Sequence, residues 1–285
     1  MRDVQLPEPD GKLIEAGSHR IHYIDMGSGT PTVFLHGGGP GCSSWTDFGT
    51  VAGIFAEDRR LILMDMLHYG RSSKEPFRAP RWSYHAQVIG KALDAIGIEK
   101  ADFVCNSIGG STALALAAER PELVGKLVVT GSEPVPGAVP LTPELGVAGK
   151  TAWTRYYADE GPTHEKLYDI MADLEWLGGE DIPQWTFDLR WELSRQDDLL
   201  ALGSDWSPGG GRGIPQDLSD HLPLVQAPTL FLWGDSDAFA VPDYALALKN
   251  LVPGSSVHVM GNAAHHMEEQ QPEEFAAIVT AFLDH

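Results

Sequence analysis

A serine, a carboxylate and a histidine placed after separate strands can together run nucleophilic acyl chemistry, and this chain carries candidates for all three. Cys105-Asn106-Ser107-Ile108-Gly109-Gly110 lies between an apolar run and an Ala/Leu-rich stretch. A serine on a tight strand-to-helix turn projects its Oγ clear of the backbone, and the following N–H points at the same spot. Gly109 and Gly110 leave room for the helix to pack closely. The G-x-S-x-G pattern has glycine two residues before the serine. Here that position is Cys105, which is small enough for the turn to form. His36-Gly37-Gly38-Gly39-Pro40-Gly41 directly follows another apolar run. Such a loop lets backbone N–H groups approach a reacting oxygen. An oxyanion hole needs two of them, and losing one costs about 10²–10³ in rate. The candidates are the N–H groups of Gly38 and Ile108. A phosphate loop is disfavoured, because no Gly-Lys-Ser/Thr ends the segment and its spacing is not G-x-G-x-x-G.

The serine needs a base, and the base needs an orienting acid. In this architecture the chain order is serine, acid, histidine. Gly234-Asp235-Ser236-Asp237 follows the apolar run Thr229–Trp233, and Asp237 is the chosen acid. Asp235 suits a cap or turn, and Glu133 is a substitute acid of lower rank. His265-His266 follows Val257–Met260, and on local grounds either histidine could be the base. A zinc site is not expected, since no H-x-x-x-H pair with an intervening Glu occurs.

The elements that must position these residues follow from periodicity. Short apolar runs at 20–26, 32–35, 61–64, 103–105 and 127–129 read as strands. Between them, 83–97 and 109–119 read as helices. The pattern returns as strand 229–233, helix 243–251, strand 257–259 and helix 273–283. This β-α alternation predicts an α/β fold: a mostly parallel sheet with helices on both faces. From 133 to 222 the alternation disappears. Pro134, Pro136, Pro140 and Pro143 open the stretch, and the loop Ser207–Gly213 closes it. The expected organisation is therefore a core over 1–132, a helical cap over 133–222 and a resumed core over 223–285. Five of the eight tryptophans lie in the cap: Trp153, Trp176, Trp185, Trp191 and Trp206. They either line an apolar pocket or pack a small subdomain.

Composition excludes several functions. Twenty basic and forty acidic residues among 285 give a net charge of −20, which makes nucleic acid and anionic membranes poor partners. Two cysteines cannot form a disulfide framework. No apolar run approaches the roughly 18 residues of a membrane-spanning helix, and the first ten residues lack a secretory h-region. The expectation is a soluble cytoplasmic protein with a small-molecule substrate, with room left for a homo-oligomer.

These residues also carry a resemblance. From the first strands to the last helix the chain resembles an α/β-hydrolase. Within that superfamily it is most similar to the meta-cleavage product hydrolases, which cut a C–C bond in ring-fission products of aromatic degradation. The matching segments are His36–Gly41 with Trp45, Asn106–Gly110, Leu189-Arg190-Trp191-Glu192-Leu193-Ser194, and Trp233–Asp237 with Val241-Pro242. The family's G-H-W stretch corresponds to Ala264-His265-His266, ten residues before Phe275, and this selects His265 as base. The resemblance implies Ser107 as nucleophile, Asp237 as orienter, and His265 as a base that also assists dienol-to-keto tautomerisation. It implies that Arg190 binds the substrate carboxylate and that Asn106 sits at its polar end. No cofactor is implied beyond water. The bland alternative for Arg190 is a surface helix arginine.

Three departures stand out. Cys105 replaces glycine, Asp47 stands where the family has asparagine near the substrate, and His266 stands where it has tryptophan. An ionised Asp47 facing the pocket would repel a carboxylate substrate, unless it were neutral or bridged to Arg190. Competing readings are an esterase, a lactonase or a proline iminopeptidase-like hydrolase of the same fold. The iminopeptidase Asp-Gln-Arg-Gly segment is missing, since the chain reads Asp65-Met66-Leu67-His68-Tyr69-Gly70. A cofactor-independent oxygenase and a non-catalytic binding protein are the more distant alternatives.

Overall fold

The computed structural model describes residues 1, 5–139, 146–202 and 211–285. Strands β1 (Lys12–Ala16), β2 (His19–Gly27) and β3 (Thr30–Leu35) lead into helix α1 (Ser44–Phe55). Next come β4 (Arg59–Met64), a short β5 (Phe77–Pro80), α2 (Arg81–Ala95), β6 (Ala101–Asn106), α3 (Ile108–Glu119) and β7 (Val124–Thr130). After an insertion, β9 (Thr229–Gly234), α8 (Asp243–Leu251), β10 (Ser256–Met260), α9 (Met267–Gln270) and α10 (Pro272–Asp284) complete the core. The insertion holds α4 (Gly146–Tyr157), α5 (His164–Ile170), a π turn over Met171–Glu175, α6 (Gln184–Leu193), α7 (Asp197–Leu202) and β8 (Arg212–Ile214).

The main sheet has eight strands in the order β1-β2-β4-β3-β6-β7-β9-β10. β4, β3, β6, β7, β9 and β10 run parallel, while β1 and β2 join antiparallel at one edge. This is the mostly parallel α/β sheet expected from the alternation. The central strands are buried on both faces, which explains their unbroken apolar runs. Four core elements were not expected: β1, α1, the short β5 and the one-turn α9. β1 is a largely exposed edge strand whose pattern carries little apolar signal. α1 hides behind the polar start Ser43-Ser44-Trp45-Thr46-Asp47, yet Ser43 caps it in a reciprocal box with Thr46. Its Phe48 packs edge-to-face on Phe34 of β3, ring centroids 5.1 Å apart.

Within the insertion, Ala152, Tyr156, Leu167, Met171, Trp176, Ile182 and Phe187 form an apolar cluster of their own. Its last part rejoins the core. β8 pairs with β5, and Leu218 and Leu222 pack into the main cluster under the sheet. Trp206, Pro140, Pro143 and most of the Ser207–Gly213 loop lie outside the described residues. Among the described residues, no helix is long and apolar enough to cross a membrane.

Candidate active site

Ser107 occupies the turn between β6 and α3 with φ 51° and ψ −116°, a left-handed conformation that costs a non-glycine residue energy. Neighbouring contacts hold it there. Its N–H donates to Thr130 O at 2.8 Å, and its carbonyl accepts from Ser132 Oγ at 2.6 Å. A Cβ on Gly109 would collide with the Leu35 carbonyl oxygen, so glycine is needed for α3 to start this close to β3. Cys105, by contrast, is a fully buried strand residue paired with Leu35 and Val129. A side chain fits where the usual motif has glycine, and burial pushes the thiol pKa up.

Asp237 and His265 arrive from the loops after β9 and β10. His265 Nδ1 lies 2.9 Å from Asp237 Oδ2, and both side chains are buried. Asp237 Oδ1 accepts from the N–H groups of Phe239 and Ala240 at 2.8 and 3.0 Å. The imidazole lies against Gly131, where an added Cβ would sit 2.6 Å from His265 Nδ1. Gly131 directly follows Thr130, the residue that receives the Ser107 N–H. The serine and the histidine therefore adjoin the same Thr130–Gly131 step at the end of β7. Asp235 is exposed and serves its own turn, bonding Ser236 Oγ and the Ala263 N–H.

The glycine loop adjoins the serine, since a Cβ on Gly37 would lie 3.5 Å from Ser107 Cβ. A Cβ on Gly38 would lie 3.1 Å from Ile108 Cγ2, so the two candidate oxyanion residues face each other. Ile108 opens α3, where the first N–H groups have no partner within the helix. The Gly38 carbonyl accepts from Trp153 Nε1 of the insertion and, at 3.5 Å, from Tyr69 OH. Of the four tryptophans of the insertion that are described, Trp153 is the one bonded to this loop. Trp176 belongs to the insertion's cluster, Trp185 packs toward Trp45, and Trp191 stacks on His164.

The residues expected to hold substrate form a second, charged assembly next to the first. Arg190 is not a surface arginine: it is 0% exposed. Its Nη1 and Nη2 both donate to the Glu175 carboxylate, and its Nε donates to Pro40 O at 2.9 Å. Its planar fork is thus turned onto a carboxylate of the protein. The pair presses on the glycine loop, since a Cβ on Gly39 would collide with Glu175 Oε1. Gly41, at φ 72°, leaves no space either, because a Cβ there would collide with the Arg190 carbonyl oxygen. Asn106 is likewise engaged. Its Nδ2 donates to Glu268 Oε1 at 3.3 Å, and its Oδ1 accepts from Thr130 Oγ1 at 3.0 Å.

Asp47 accepts from the Gly37 N–H at 2.7 Å and from Thr46 Oγ1 at 3.0 Å. Burial opposes its charge, but His266, His36 and the Gly37 N–H outweigh burial and lower its pKa. It is therefore ionised, but Gly37 and Thr46 hold both of its oxygens. His266 Nδ1 lies 2.9 Å from Glu269 Oε1 and 3.5 Å from Glu268 Oε1. Burial disfavours its charge too, yet Asp47, Glu269 and Glu175 raise its pKa to about 10. Burial pushes Glu269 up to about 7 and Glu268 well above the usual carboxylate range. Glu175 is held down by Arg190 against its own burial. Cys42, Asp47 and His266 place potential ligand atoms within 4.8 Å of one another, as do His266, Glu268 and Glu269. In this assembly the imidazolium and the guanidinium supply the positive charge that compensates the carboxylates.

Glu175, Glu268 and Glu269 were missed by sequence reasoning. Glu175 sits between Leu174 and Trp176 with no spacing signal. Glu268-Glu269 reads as the acidic first turn of a helix, which it also is. The one available clue was Arg190 itself, because a buried arginine requires a counter-charge.

Comparison with known proteins identifies the family. Residues 31–270 match the family model described as alpha/beta hydrolase fold. The chain is 33% identical over 270 residues to a 2-hydroxy-6-oxononadienedioate/2-hydroxy-6-oxononatrienedioate hydrolase of Pseudomonas putida, covering 93% of this chain and 92% of the other. It is 30% identical over 264 residues to a 2-hydroxy-6-oxo-6-phenylhexa-2,4-dienoate hydrolase of Comamonas testosteroni, covering 92% and 91%. Among solved structures, a meta-cleavage product hydrolase from Pseudomonas fluorescens superposes with a TM-score of 0.82 at 24% identity, over 96% of this chain and 97% of that one. Fold, motif positions and relatives converge: the chain is a hydrolytic enzyme that belongs to the α/β-hydrolase family and, within it, to the meta-cleavage product hydrolases.

Proposed function

We propose that the protein hydrolyses a C–C bond in a hydroxy-oxo-diene of the ring-fission type named for its relatives, with Ser107 as nucleophile, His265 as base and Asp237 as orienter. The observation that carries this reading is that the Ser107 N–H bonds Thr130 while the His265 imidazole packs on the adjoining Gly131, with Gly38 packed against Ile108. Asp237 holds Nδ1 of His265, which leaves Nε2 to work on protons. His265 first assists the dienol in becoming its keto tautomer, a vinylogous 1,5-diketone. Nε2 then takes the Ser107 Oγ proton as Oγ attacks the ketone carbon, and the carbonyl pair moves onto oxygen. The N–H groups of Gly38 and Ile108 receive that oxyanion. Its collapse breaks the C–C bond, and the bonding pair enters the vinylogous carbonyl as a dienolate, which is protonated on leaving. Water, deprotonated by His265, then hydrolyses the acyl-serine. The protein's own groups suffice for these steps.

His36 supports the reading: its Nδ1 donates to the Gly37 carbonyl at 2.6 Å, and that peptide carries the Gly38 N–H assigned to the oxyanion. We place the enzyme in the cytoplasm, where its two buried free thiols, Cys42 and Cys105, stay reduced. The test is loss of the yellow dienolate chromophore in the presence of the protein, with release of the matching acid. Bleaching that Ser107→Ala abolishes supports the proposal. Turnover of p-nitrophenyl esters without bleaching would assign the same residues to an esterase instead.

A further inference from the structure

Gly37 is held at both ends by side chains, and it directly precedes the residue assigned to the oxyanion. Its N–H donates to Asp47 Oδ2 at 2.7 Å, a short bond to a charged acceptor. Its carbonyl accepts from His36 Nδ1. The His36 tautomer is fixed, because Nε2 accepts the Met66 N–H at 2.9 Å and the ring proton therefore sits on Nδ1. A Cβ on Gly37 would lie 3.4 Å from Asp47 Oδ2 and 3.5 Å from Ser107 Cβ, so this clamp lies directly beside the nucleophile. Consecutive glycines have little conformational preference of their own. The run Gly37–Gly39 needs bonds from outside to keep one orientation.

We propose that Asp47 is a positioning residue for the reaction: it holds the Gly37 N–H while His36 holds the Gly37 carbonyl, and together they fix the peptide that presents the Gly38 N–H to the oxyanion. The proposal rests on Ser107 and Gly38 acting as described above, and not on which bond is cut.

Asp47 is anchored independently of the loop that it holds. It stands in the first turn of α1, whose start is capped by Ser43 and Thr46 in their own reciprocal bonds. Its second oxygen, Oδ1, accepts from Thr46 Oγ1 at 3.0 Å. The helix N-terminus favours its charge. A ring nitrogen of His266 lies within 4.8 Å of the carboxylate, and this imidazolium balances the charge. The clamp therefore does not set an uncompensated anion behind the developing oxyanion.

The experiment compares full-length wild type with Asp47→Ala, Asp47→Leu and Asp47→Asn. Two readouts are used: steady-state kinetics on 2-hydroxy-6-oxo-6-phenylhexa-2,4-dienoate, and inhibition by phenylboronic acid. Ser107 Oγ adds to boron as His265 takes its proton, and the tetrahedral adduct sets a boron-bound oxygen toward Gly38 and Ile108. Asp47→Ala should lower kcat about 10–100-fold, change KM by less than about threefold, and weaken boronic acid inhibition by the same factor as kcat. Asp47→Asn keeps an acceptor for the Gly37 N–H and should return kcat to within about threefold of wild type. Asp47→Leu fills the same space without an acceptor, and it replaces Asp47→Ala in the comparison where the smaller side chain folds poorly. Wild-type kcat and inhibition in the Ala or Leu variant, with only the melting temperature changed, would overturn the inference and leave Ser107 as nucleophile. An Asn variant as slow as the Ala variant would overturn it too. Failure of the wild type to bind phenylboronic acid would remove the oxyanion site itself and the inference with it. A wild type that binds the boronic acid but leaves the dienoate intact would sink the C–C reading alone, and the inhibition constants would still decide the role of Asp47.

Discussion

Two polar assemblies share the glycine loop, and they are built on opposite principles. On the Ser107 side the decisive bonds end on backbone. Thr130 O holds the serine N–H, the N–H groups of Phe239 and Ala240 hold Asp237, and Asp237 in turn holds the His265 imidazole. On the Arg190 side the bonds run mainly from side chain to side chain, linking Arg190 to Glu175, His266 to Glu269, and Asn106 to Glu268. Backbone-held geometry survives replacement of neighbouring side chains. Charge-paired geometry changes whenever one partner changes. The Ser107 side thus matches the family's motifs in all but Cys105, while the Arg190 side departs from them at Asp47 and His266 and carries Glu175 against the expected carboxylate binder. On the proposed roles, chemistry and selectivity would be separable because different kinds of bond hold the two assemblies.

The sharpest way to break that division is to damage each half and compare. Ser107→Ala and His265→Ala should each lower kcat by about 10³-fold or more. His266→Ala should cost far less in kcat and show itself mainly as lost stability. Equal losses in steady-state kinetics of the two histidine variants would erase the boundary between the assemblies.

A second comparison concerns stability. Glu175→Ala or Arg190→Ala alone strands a buried charge and should cost about 3–5 kcal/mol in urea unfolding. The double variant Glu175→Leu/Arg190→Met should cost much less than the sum. Additive losses would mean that the two groups are not acting as a pair.

The charged assembly should also respond to pH. His266 has a folded pKa near 10 against an ordinary value of 6.5, so the fold binds its proton more tightly than the unfolded chain does. Its contribution is therefore complete below about pH 6.5 and is lost as pH rises toward 10. Glu269, raised to about 7 from 4.5, adds a decline between those two values, because its ionisation is harder in the fold. Melting temperature should fall across the alkaline range in the wild type, and His266→Gln should flatten that limb. An unchanged slope in the variant would remove His266 as its cause. The smallest effect belongs to Ser132→Ala. Loss of its 2.6 Å bond to the Ser107 carbonyl should cost about 1 kcal/mol and reduce kcat by less than about tenfold.

The reacting half was legible in the sequence because its demands are local. A nucleophile turn, a donor loop and a histidine with its acid must each follow a strand, and apolar runs mark where strands end. The pairing of Asp237 rather than Asp235 with the base, and the harmless place of Cys105 within a strand, match that logic in the structure. Helix α1 was overlooked because its first turn is polar and its burial comes from tertiary packing on Phe34. The charged assembly was illegible for a deeper reason. Glu175 reaches Arg190 only through the path of the π turn and α6. Glu268 reaches Asn106 across 162 residues of chain, from α9 to the end of β6. Pairings of that kind are fixed by three-dimensional closure, and no spacing along the chain records them.

Gly41 carries a practical consequence. Its missing methyl group is the whole clearance between the glycine loop and the backbone of α6 at Arg190. Loop and insertion are thus machined to a single tolerance at this point. A chimera that imports the cap of a relative while keeping this loop will fit only if the foreign helix runs along the same line. Recombination that exchanges residues 36–41 together with the cap respects the joint, and crossovers between the two cut through it.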